Sequence, residues 1–244
     1  MDIKERLRSI ENIASSTVDA GGAARILDMM GTCFPREILG EIKIYSEYLP
    51  KAEDIGFTEE QRYLHFLWDA LDKTPMAAVV NFAIPLRRII AKRLFKSCGK
   101  NFIAEENVRF NFGHNIEVGD DVFFNRGVFL DSKGGISIGN RCALAEGAEI
   151  YTHSHSQSDH VKRTYAGVTI EDFACIYSHA TILPGITIGA QAIVAAKSLV
   201  SQDVAPNMMV AGIPAKVVRE RHNGGCTRSQ LNHVWLHKGA FQDE

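Results

Sequence analysis

The chain has 244 residues and a formal net charge of −2, enough for one large domain or one domain with an appendage. Its 45% apolar and 23% charged residues are those of an ordinary folded protein. The near-neutral balance excludes a global pull toward nucleic acid, so any anion must be held by locally placed Lys and Arg.

Cys33, Cys98, Cys142, Cys175 and Cys226 are scattered, odd in number and free of CxxC spacing. That pattern argues against a disulfide framework or a zinc knuckle and for a reducing, cytoplasmic setting. Met1 to Arg6 is too polar for a secretory signal. The longest apolar stretch, Met76 to Ile84, is interrupted by Asn81 and falls far short of the roughly 20 residues that cross a bilayer.

Residues 1 to about 100 predict helices. Thr58-Glu59-Glu60-Gln61 has capping-box spacing ahead of an apolar run from Tyr63 to Leu71. Thr74-Pro75 offers an N-cap and a first-turn proline for a second helix toward Ser97, with Pro85 expected to kink or split it. Residues 86 to 96 alternate basic and apolar side chains at helical spacing. Two readings follow: an amphipathic helix packed on the next domain, or a basic face making weak contact with a membrane surface.

From about residue 101 the period changes. Ile170, Ile176, Ile182, Ile188, Val194 and Val200 recur every six residues, and Ala174, Ala180, Ile186, Ala192, Ser198 and Val204 follow each by four. Val118, Phe124 and Leu130, then Ile138, Leu144 and Ile150, repeat the pattern with an eight-residue step around Ser132-Lys133-Gly134. Neither a helix nor a simple alternating strand gives a period of six. Short strands joined by turns and stacked as a prism do: large aliphatics point inward and small residues fit the corners. The chain divides into a helical region (1–100), a β-helix (101–220) and a C-terminal tail (221–244).

The repeat, together with Ile150-Tyr151-Thr152-His153-Ser154-His155, Leu183-Pro184-Gly185-Ile186-Thr187-Ile188-Gly189 and Val210-Ala211-Gly212-Ile213-Pro214-Ala215-Lys216-Val217-Val218-Arg219, resembles the hexapeptide-repeat acyltransferases, in particular the galactoside and maltose O-acetyltransferases. The resemblance implies a mainly β fold, a left-handed parallel β-helix of hexapeptide repeats. It also implies a homotrimer with active sites in clefts between subunits, and acetyl-coenzyme A as co-substrate with no permanently bound cofactor. The family motif places its catalytic histidine five residues after the aliphatic at Ile150, which selects His155 over His153 and His160, both read as solvated loop residues. A neutral imidazole suits removal of a hydroxyl proton at neutral pH.

For the donor, the resemblance implies that Ser178, Ala196 and Lys197 line the pantetheine arm, with Lys197 where a glycine is common. Lys216 and Arg219 match positions that hold the nucleotide phosphates. For the acceptor, Asn125 and Asp131 match residues that bind substrate hydroxyls, and Phe123 falls where an aromatic stacks on a sugar. No metal is expected. Two other readings stand beside this one: a zinc lyase of the γ-carbonic-anhydrase type, using His155 and His160 with His114, and a catalytically silent scaffold.

Overall fold

A computed structural model describes residues 1–227, 230–231 and 240–243. The chain forms two compact units, Met1–Lys96 and Ser97–Glu244. Of the expected tail, residues 228–229, 232–239 and 244 lie outside the described residues. Among the described residues no helix is long and apolar enough to cross a membrane.

The first unit is helical. Asp2 and Glu5 form a capping box at the start of helix Ile3–Ala14, Asp19 caps Ala20–Met29, and Thr58 with Gln61 caps Glu59–Leu71 as the spacing predicts. Thr74 acts differently from expectation: its hydroxyl accepts from the Met76 N–H and opens a short 3-10 turn, Pro75–Ala78. The last helix starts only at Val80 and runs to Leu94, with Pro85 inside it and no split. It packs on Ile3–Ala14 and Glu59–Leu71, around fully buried Trp68, Phe82, Leu86 and Ile90.

The basic stripe of 86–96 divides between interior and surface. Arg87 is 1% exposed and ion-paired to the equally buried Asp72, Arg88 is buried, and Arg93 lies 2.6 Å from Glu60. Arg87 and Arg88 are thus committed to this unit's interior, while Lys92, Arg93 and Lys96 stay exposed.

The second unit is a parallel β-helix. Its strands form sheets of five, seven and five members. The first face contains Ser97–Cys98, Ile116–Val118, Ile136–Ile138, Val168–Ile170 and Thr187–Ile188. The second runs from Ile103–Ala104 through Phe123–Phe124, Ala143–Leu144, Cys175–Ile176 and Ile193–Val194 to the antiparallel pair Met208–Gly212 and Ala215–Glu220. The third contains Arg109–Phe110, Phe129–Asp131, Glu149–Tyr151, Thr181–Ile182 and Leu199–Val200.

Register explains the repeat. Ile138, Ile170 and Ile188 are successive partners on one face, Leu144, Ile176 and Val194 on the next, and Ile150, Ile182 and Val200 on the third. All nine are buried, as are Ala174, Ala180, Ala192 and Ser198 at the starts of strands. The corners turn through left-handed backbone: Asn107, Asp121, Arg141, Phe173, His179, Gln191 and Lys197 all have φ between 53° and 63°. Gly147 fills one such corner for two reasons. Its φ is +65°, and a Cβ there would lie 2.4 Å from the His179 ring.

The earlier coils are longer. Ile103 pairs with Phe123 and Phe123 with Ala143, twenty residues per coil, whereas Cys175 pairs with Ile193 after eighteen. The extra residues are 3-10 turns, Gly113–Asn115 and Ser132–Gly134, at the corner between the third and first faces. At that same corner the next coil, from Ala143 to Cys175, takes thirty-two residues.

Candidate active site

The extra length of that coil is a β-hairpin. The chain leaves the third face after Tyr151, forms antiparallel strands His153–His155 and Arg163–Tyr165, and rejoins the first face at Val168. The hairpin base is fixed to the coil below it. The buried Thr152 hydroxyl donates to the Asp131 carbonyl and accepts from the Gly134 N–H at 2.7 Å, and the Ala166 N–H donates to the Thr152 carbonyl at 2.9 Å. Gly134 is required by this approach, since a Cβ would lie 2.6 Å from the Thr152 carbonyl oxygen.

His155 stands half-buried on the outgoing strand. Its Nδ1 lies 2.9 Å from the backbone oxygen of His160, and the two imidazoles stack with centroids 4.1 Å apart and planes 9° from parallel. A carbonyl oxygen can only accept, so Nδ1 carries the proton and Nε2 presents its lone pair. The arrangement can take a proton from a bound hydroxyl.

Beside it, His153 makes a different contact. Its Nδ1 bonds to Asp131 Oδ2, and its ring meets His155 edge to face at 5.1 Å. Asp131 is 1% exposed and also accepts from Lys133 Nζ at 2.6 Å and Asn111 Nδ2 at 2.7 Å. Burial disfavours its charge, but Lys133 and His153 outweigh that and hold the carboxyl below the usual carboxylate range. Both its oxygens hold contacts within the chain, so the carboxylate expected at an acceptor hydroxyl is engaged here by His153, Lys133 and Asn111. His153, Lys133 and Asn111 were not expected as a cluster. The signal was present in strand alternation: residues 153 and 155 share one face, and Asp131 pairs in register with Tyr151.

Four of the expected residues gather on another edge. Asn125, Ser178, Ala196 and Lys197 all lie at the corner between the second and third faces, stacked coil on coil. The Lys197 N–H donates to the Ser178 carbonyl at 2.9 Å, and the His179 N–H to the Glu146 carbonyl at 2.9 Å. Ala196 and Lys197 are exposed, while Ser178 and Asn125 are half-buried. Lys197 occupies its glycine-favouring corner at φ 56°. Asn125 Oδ1 accepts from the Arg126 N–H at 2.7 Å.

Lys216 and Arg219 are exposed on the last strand of the second face, with Lys216 opposite Ala211. Phe123 is 5% exposed and pairs on the second face with buried Ile103 on one side and half-buried Ala143 on the other. Its ring is largely covered within this chain, where the expectation was of an aromatic face stacked on a sugar. Among the described residues, no three His, Cys, Asp or Glu side chains group so as to hold a metal ion, and the His155–His160–His114 set expected of a zinc lyase is not assembled.

No family model matches the sequence. Galactoside O-acetyltransferase of Escherichia coli K12 is 30% identical over 138 residues, 55% of this chain and 68% of that protein. A Dictyostelium discoideum relative is 33% identical over 181 residues, 71% of this chain and 88% of its own. Among solved structures, a hexapeptide-repeat acetyltransferase from Vibrio cholerae, complexed with acetyl-coenzyme A, superposes with a TM-score of 0.59 at 25% identity, covering 77% of this chain and 98% of that one. A maltose O-acetyltransferase from Clostridium difficile 630 gives a TM-score of 0.61 at 26% identity, covering 77% and 97%. The coil, its corner hairpin and these relatives converge: the chain belongs to the hexapeptide-repeat acetyltransferases.

Proposed function

We propose that the protein transfers an acetyl group from acetyl-coenzyme A to a hydroxyl of a sugar or saccharide, with His155 as general base. The observation that carries this reading is the Nδ1 contact of His155 with the His160 carbonyl, which leaves Nε2 as the acceptor of a proton. His155 Nε2 removes the proton as the acceptor oxygen attacks the thioester carbonyl. The same nitrogen returns that proton to the sulfur when the carbon–sulfur bond breaks, so the histidine is neutral at the start and end of each turnover. The saccharide class rests on the galactoside and maltose named for the relatives, and the donor on the acetyl-coenzyme A bound in the Vibrio cholerae structure.

In this reading Ser178, Ala196 and Lys197 line the donor's pantetheine arm, Lys216 and Arg219 face its phosphates, and Asn125 binds the acceptor. The hairpin and these residues occupy different edges of one prism. A homotrimer, in which the hairpin of one subunit meets the donor edge of the next, completes the site.

The test is release of free thiol from acetyl-coenzyme A in the presence of a panel of glycosides. Turnover by the wild type and a loss of about 10³-fold in His155→Ala are expected, in the range of general-base contributions. Undiminished turnover in the variant removes His155 from the mechanism, and no turnover by the wild type with any glycoside favours a silent scaffold.

A further inference from the structure

We infer that His153, pinned by Asp131, is a positioning residue that holds the hairpin strand so that His155 faces the reacting groups. The inference rests on the reading of His155 as general base and extends it to a neighbour. A hairpin projecting from a coil is tied only through its base and whatever its strands touch. The strand His153–His155 touches the coil through the contact between His153 Nδ1 and Asp131 Oδ2, which joins residues twenty-two apart in sequence.

Asp131 is itself immobilised from three sides by Lys133, Asn111 and His153. Lys133 is only 9% exposed in its side chain, so its charge is buried with that of the carboxylate. His153 and His155 are two residues apart on a strand and share a face, and their rings meet at 5.1 Å. Tyr165 backs the His153 ring from the returning strand, with centroids 6.5 Å apart and planes 28° from parallel. Fixing the first ring therefore restricts where the second can go. A displacement of about 1 Å in a catalytic group can cost about 100-fold in rate.

The decisive pair of variants is His153→Phe and His153→Asn. Phenylalanine keeps an aromatic ring beside His155 but cannot donate to Asp131, whereas the asparagine amide places an N–H near the position of Nδ1. Asp131→Asn is a poorer choice, because it strips the buried Lys133 of its counter-charge and threatens the fold.

Steady-state kinetics with acetyl-coenzyme A and an accepted glycoside should show His153→Phe losing about 100-fold in kcat, in line with such a displacement. The KM for acetyl-coenzyme A should stay within about twofold, since the donor edge is untouched. His153→Asn should recover at least tenfold of that loss. Wild-type kcat in His153→Phe, equal losses in both variants, or a loss confined to KM each overturns the inference. His155→Ala, assayed in parallel, separates the two claims. Activity retained there sinks the general-base reading whatever His153 does, while loss there with a fully active His153→Phe sinks only the positioning role.

Discussion

Glu47 shows how a part-buried carboxylate contributes acid sensitivity to the helical unit. Its side chain is 11% exposed and lies 2.7 Å from Arg62, with Lys43 at 3.2 Å. Burial alone would raise its pKa. The hydrogen bonds from Arg62, the Ile44 N–H and Lys43 more than reverse that, lowering it from 4.5 to about 2. A depressed carboxylate stabilises the fold above its unfolded pKa, and the contribution is lost as pH falls from about 4.5 toward 2. Glu47→Gln should therefore destabilise the protein by about 2 kcal/mol at neutral pH and flatten its stability profile across that acid window. Denaturant titrations of both proteins at pH 7 and pH 3 check this. A difference that does not shrink at pH 3 would show that Glu47 stabilises by packing rather than charge. At the candidate site the residue scale holds a similar lesson. Motif position singles out His155 and Asp131 in the sequence, but only the side-chain contacts join Asp131 to His153 and Lys133.

At the scale of elements, the coil draws its stability from inward stacks, and its corners and insertions carry the chemistry. Ile182, fully buried between Ile150 and Val200, should cost about 3–4 kcal/mol when replaced by Ala. Thr181→Ala, on the half-buried outer side of the same strand, should cost well under half as much. Equal losses in chemical denaturation would contradict the inward and outward assignment. The six-residue spacing made this architecture legible from Val118 onward because large aliphatics mark each inward position. The first coil, most of it inside the expected 101–220, shows no six-residue aliphatic row because Cys98 and Ala104 stand at its inward positions ahead of Phe110. The hairpin was visible only as a break between Ile150 and Ile170. Its strands, His153–His155 and Arg163–Tyr165, are too short and polar to announce themselves, and local hydrogen bonding decides their pairing. In the helical unit the same limit moved the start of the last helix from Thr74 to Val80, because the Thr74 cap was satisfied by a 3-10 turn.

At the scale of the whole molecule, the expected residues of the site are divided between corners of the coil. The hairpin with His153 and His155 rises where the third face meets the first, and Asn125, Ser178, Ala196 and Lys197 line the corner where the second meets the third. The proposed trimer turns this separation into a site by bringing unlike edges of neighbouring copies together. Such a site needs one hairpin and one donor edge, and two differently damaged chains can supply them. Co-expression of His155→Ala with Ala196→Trp, which leaves His155 intact but obstructs the donor edge, tests this most directly. Each homo-oligomer should be inactive in the thiol-release assay. Mixed oligomers, isolated through two distinct affinity tags, should recover about a third of wild-type turnover, since every mixed trimer holds one intact site of three around its closed ring. Mixed oligomers that remain as inactive as either parent would contradict a site shared between subunits.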